Sequence, residues 1–92
     1  MIAPRVHMNG TSRKSLLESI IEASQTISLA IGALRNTAPH GRDYYVISDI
    51  AYVQARAEYE ARLTRLHETN KELIAMYRAI EQNEIEFTTE VK

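Results

Sequence analysis

LLESIIEASQTISLAIGAL, residues 16–34, places Leu17, Ile20, Ser24, Ile27, Ile31 and Leu34 at alternating steps of three and four. That spacing is the repeat of an α-helix with an apolar seam about three heptads long. Leu16, Ala23 and Ala30 broaden the seam, so it suits contact with more than one neighbouring helix. Upstream, Asn9-Gly10-Thr11-Ser12 reads as a turn ending in a good N-cap. Downstream, Asn36-Thr37-Ala38-Pro39 stops the helix. The first helix is predicted over 12–35, within a segment 11–36.

A second helix begins after Ser48 or Asp49, either of which can cap it. It carries Tyr52, Arg56, Tyr59, Leu63, Leu66, Asn70, Leu73, Tyr77 and Ile80 at steps of four and three, with no proline or glycine to interrupt. Predicted over 50–83, it spans about 50 Å against about 36 Å for the first at 1.5 Å per residue. The expected fold is all-α: an antiparallel two-helix hairpin in one domain, with an arm at 1–10, a loop at 37–49 and a tail at 84–92. If the hairpin folds back directly, the first helix starts level with Leu73. Leu73, Ile74, Met76, Tyr77 and Ile80 then lack a full partner within the chain, and Leu73, Tyr77 and Ile80 become candidates for assembly into a homo-oligomeric bundle.

Asn70 interrupts the second seam with an amide. Such a residue costs stability but specifies register and oligomer number when it finds a partner. A solvent-facing Asn on a slightly rotated helix is the alternative, and the sequence leaves both open. The ends read as extended arms: residues 84–91 alternate polar and apolar with period two, as residues 5–8 do more briefly. A small two-stranded pairing or frayed termini would each fit.

The 92 residues, 45% hydrophobic and 25% charged, suit one small domain rather than a disordered chain or a multidomain enzyme. No cysteine is present, so neither a disulfide framework nor a thiolate zinc site supplements the core. The net charge of -1 argues against a duplex nucleic-acid binder. It conceals a division: residues 1–42 hold five bases and two acids, net +3, and the rest holds six bases and ten acids, net -4. No apolar run reaches membrane-spanning length and no secretory signal is evident, so a cytoplasmic address is expected.

Catalytic signatures fail. His67-Glu68-Thr69-Asn70-Lys71 opens like a zinc-protease helix but has Lys71 where the second histidine belongs. His7, His40 and His67 sit in three separate segments, no serine stands in a nucleophile elbow, and no phosphate-binding glycine loop occurs. No enzyme, metal or cofactor is expected.

Two constellations carry binding chemistry. Asn9, Gly10, Thr11, Ser12, Arg13 and Lys14 surround a helix N-terminus, where unpaired N–H groups and the dipole already favour an anion. Acids are expected in such a first turn, and two bases stand there instead. An ordinary cap with solvated bases is the plain alternative. In the loop, His40, Gly41, Arg42, Tyr44 and Tyr45 combine an imidazole, a cation and two phenols, which suit the phosphate and base of a nucleotide. Otherwise Arg42 pairs with Asp43 and the tyrosines close the core. The two sets lie about 36 Å apart in one hairpin, so one ligand touches both only between antiparallel subunits.

The segment Met8-Asn9-Gly10-Thr11-Ser12-Arg13, followed after a helix by Ala38-Pro39-His40-Gly41-Arg42-Asp43-Tyr44-Tyr45 and a charged helix, resembles a family of small uncharacterised proteins of tailed phages and prophages. The likeness covers about residues 7–80 and brings no assigned chemistry. In size, hairpin layout and implied oligomer, the chain is also similar to phage sponge proteins that sequester the nucleotide signals of bacterial immune systems such as CBASS and Thoeris. This second resemblance implies an anti-defence protein in the host cytoplasm that holds a cyclic dinucleotide or ADP-ribose derivative in inter-subunit pockets without turnover. The alternatives are a helical inhibitor or adaptor that binds a host protein, and a purely structural phage oligomer.

Overall fold

The computed structural model describes the backbone of residues 1–91 and the side chains of residues 1–82. Two helices, α1 (Arg13–Arg35) and α2 (Asp49–Val91), pack against each other as an antiparallel hairpin. A 3-10 turn, Gly41–Asp43, interrupts the connection. No strand occurs among the described residues.

Capping chemistry sets the starts. Ser12 is the N-cap of α1, its hydroxyl accepting from the Ser15 N–H at 3.1 Å. The Ser48 hydroxyl accepts from the Ala51 N–H at 3.0 Å in the same way. Both satisfy a donor that a helix start otherwise leaves unpaired. At the far end of α1, the N–H groups of Asn36, Thr37 and Ala38 turn back onto the carbonyls of Ala33, Leu34 and Arg35. The Thr37 hydroxyl adds a second bond to the Leu34 carbonyl at 2.7 Å. Pro39 follows and cannot continue the pattern.

The helix that was expected to end near residue 83 continues to Val91. The period-two pattern of 84–91 therefore lies on helix, and the pairing with residues 5–8 does not form. A two-stranded ribbon is marginal on its own, whereas a helix without a breaker satisfies its backbone locally. The N-terminal arm has another use: Val6 packs against the core cluster of Leu17, Ile20 and Ile80, together with Leu16, Leu73, Met76 and Tyr77.

Those contacts fix the register. Leu17 and Ile20 meet Ile80, and the Ser24 hydroxyl donates to Asn70 Oδ1 at 2.6 Å. Stepping residue for residue from that bond, the end of α1 at Arg35 lies level with about residue 59 of α2. The first ten residues of α2 thus project beyond α1 by about 15 Å, which explains why the connection is long: residues 36–48 must cover that rise before α2 can begin. The expected mismatch is real but is shared between the two ends, since by the same count Arg13 lies level with about residue 81 and α2 runs on to Val91. Ile80, expected to lack a full partner, is fully buried, and part of the surplus length is the segment next to the loop.

The product is a rod of 69 × 18 × 16 Å with a radius of gyration of 19.9 Å, where a compact chain of this length would have about 12 Å. Among the described residues, only Leu17, Ile20, Ile31, Tyr59 and Ile80 are buried.

Candidate functional site

The start of α1 is a self-contained cap. The Gly10 N–H donates to the His7 carbonyl at 3.2 Å. A Cβ on Gly10 would sit 2.5 Å from the His7 ring. The group that crowds Gly10 is thus the chain's own exposed imidazole, which can swing aside. Arg13 is half-buried and engaged within the chain, while Lys14 leans toward Glu18 at 3.8 Å with both groups in solvent. Asn9, Thr11 and Ser12 are exposed, and Ser12 spends its acceptor on Ser15.

The loop set is differently arranged. Tyr44 is half-buried and tilts against Tyr52, ring centroids 6.2 Å apart. Its carbonyl accepts from the N–H groups of Ile47 and Ser48 at 2.9 and 3.1 Å, which folds the chain into the start of α2. Gly41 accepts from Tyr44 and Tyr45, and a Cβ there would meet nothing within 4 Å. His40, Arg42 and Tyr45 all stand in solvent. The two sets remain separated by at least the length of α1, about 34 Å for 23 residues, so a single chain does not unite them.

Asn70 finds its partner within the chain. Besides accepting from Ser24, its amide donates to the Ser28 hydroxyl at 3.5 Å. It bridges two serines one turn apart on α1 and aligns the hairpin. Of the other residues expected to build an oligomer, Ile80 is core, and Leu73 and Tyr77 are half-buried against it.

Two apolar surfaces remain; the sequence pointed to Leu73, Ile74, Tyr77 and Tyr45 among their residues, but not to Ile21, Val46, Ile47, Ile50 or Val53. One is a groove of about 190 Å³ between the helices, floored by Ile20, Leu73 and Tyr77 and edged by Ile21, Ile74 and Arg78. A shallower hollow beside Leu17 and Gln25 shares Ile21 and Tyr77. The other surface is the projecting start of α2 with its adjoining loop. There Tyr45, Val46, Ile47, Ile50 and Val53 are each 66 to 77% exposed. Ile21 and Ile74 stand one place off their seams; the breadth of the first stripe was the signal that could have found Ile21, and the length mismatch the one that pointed to Ile74. Tyr45 to Ile47 carried only a loop signal because nothing in the spacing showed that α1 stops short of them.

Among the described residues, no three His, Asp or Glu side chains gather, and no helix is long and apolar enough to cross a membrane. No family model, curated protein or solved structure matches the chain.

Proposed function

We propose that this chain is a helical interaction module that acts by association rather than turnover, engaging a protein through the apolar surface at its loop end. The observation that carries this reading is the cluster Tyr45, Val46, Ile47, Ile50 and Val53, five large apolar side chains held in solvent within nine residues. Isolated exposed apolar residues are ordinary, but a contiguous patch marks a contact surface. The test is crosslinking in the producing cell with the wild type and Ile50→Glu/Val53→Glu. A partner lost only from the variant, with helicity unchanged by circular dichroism, supports the reading. Identical partner profiles refute it.

A second reading, sequestration of a host immune-signalling nucleotide by a phage-encoded protein, is favoured by one specific observation. His40, Arg42 and Tyr45 share the loop end and face solvent. The start of α1 favours it less, since Gly10 and Arg13 are occupied by the chain itself. Calorimetry with a panel of cyclic dinucleotides and ADP-ribose derivatives separates the two. A ligand at a hundredfold over its dissociation constant raises stability by ~2.7 kcal/mol, and Arg42→Ala removes that gain. A panel with no heat and no shift refutes it.

A further inference from the structure

We propose that a second copy of this chain docks antiparallel on the first, each copy laying Ile50 and Val53, with Tyr45 to Ile47, against the groove edged by Ile21 and Ile74 of the other. The inference rests on the reading of the chain as an interaction module and names the partner.

Spacing is the first argument. Ile50 and Ile74 are 24 residues apart on one uninterrupted helix, about 36 Å along the rod. Counting heptads from the seam that faces α1, Val53 and Ile74 occupy equivalent positions on its flank, with Ile50 beside them. Two rods laid antiparallel about a twofold axis level with residue 62 put each loop-end patch on the other's groove, and both pairs close together. A twofold arrangement satisfies all four patches and leaves none to propagate. The stretch between them on that flank carries Ala57 and Thr64, small enough for two helices to approach, together with Glu60 and His67 at the same heptad place as Val53 and Ile74, all exposed.

Area is the second. The chain exposes 6947 Å², about 1,500 Å² more than a compact monomer of 10.5 kDa. A standard interface removes about 800 Å² from each partner. The surplus is sufficient for one such contact. Charge is the third: in this register Arg78, at the rim of the groove, lies within one helical turn of Asp49 on the incoming segment.

The absence of cysteine from the sequence makes the test clean. Sedimentation equilibrium at 5 to 100 µM is expected to give twice the chain mass. Ile50→Glu and Ile74→Glu, both at exposed sites, should each raise the dissociation constant at least tenfold without loss of helicity. To read the register, Ile50→Cys and Ile74→Cys chains are mixed and oxidised. The heterodimer should form at least tenfold faster than either disulfide homodimer, because like positions lie about 36 Å apart in this arrangement. A monomer at 100 µM overturns the proposal, as does preferential Ile50→Cys homodimerisation, which would mean that the loop ends meet each other. A monomer that still loses a foreign partner on Ile50→Glu overturns self-docking alone and leaves the broader reading intact.

Discussion

Asn70 is the residue where sequence and structure are most instructive together. Its place in the seam marked it as a polar group in need of a partner. Its spacing could not say where the partner was, because that depends on how far α2 projects. With Ser24 and Ser28 as partners, Asn70→Leu leaves the part-buried Ser24 hydroxyl unsatisfied and should cost about 1 to 3 kcal/mol. Adding Ser24→Ala to that variant should recover most of the loss, and urea denaturation of the four chains in the cycle measures the coupling. Glycines supply a second contrast. Gly10→Ala drives a methyl into the His7 ring and should destabilise modestly, because the exposed imidazole can swing away at the expense of its packing. Gly41→Ala meets open space at a backbone without positive φ, so it should be neutral or stabilising by up to about 1 kcal/mol. Thermal melts that rank the two the other way would show that the turn, not the ring, governs residue 10.

Among elements, α1 was legible almost to the residue, since a serine cap, a periodic seam and a proline stop are all local signals. The start of α2 was equally legible from Ser48 and Asp49. Its end was not: Glu84 to Val91 alternate like a strand, and only the lack of a breaker spoke for helix. The register was also out of reach, because a thirteen-residue connection fits both a direct turn and one that climbs along the second helix. Burial gives the pairing of elements a steep energetic signature. Ile80→Ala removes a fully buried side chain from the small cluster shared with Leu17 and Ile20 and should cost about 2 to 5 kcal/mol. Ile50→Ala, at a site 77% exposed, should change the stability of the isolated hairpin by less than about 0.5 kcal/mol. Ser12→Ala should fall between them at about 1 kcal/mol by loss of the cap. Denaturant midpoints measured at low micromolar concentration check that order.

At the level of the whole molecule, the small core explains more than any single site does. A rod with five buried side chains among those described has little to hold it at high dilution, and self-association would stabilise it by mass action. Its melting temperature should therefore climb with protein concentration between 1 and 100 µM, and Ile50→Glu should flatten that climb. A melting temperature independent of concentration in the wild type would mean that the hairpin alone suffices. The candidate site was less legible than the fold for the same reason: a solvent-facing His40 or Arg42 leaves no periodic trace, and the groove exists only once two helices are aligned. That alignment has a mechanical consequence. The seams repeat every seven residues and the connection between the helices has slack, so α2 could slide along α1 by one heptad and still bury leucines and isoleucines. Asn70 forbids it. A shift one way would press its amide onto Leu17, and the other way onto Ile31, stranding it each time among apolar side chains. The two serines thus act as a key in a single slot, and Asn70→Leu, besides weakening the hairpin, should free the rod to telescope between lengths about 10 Å apart.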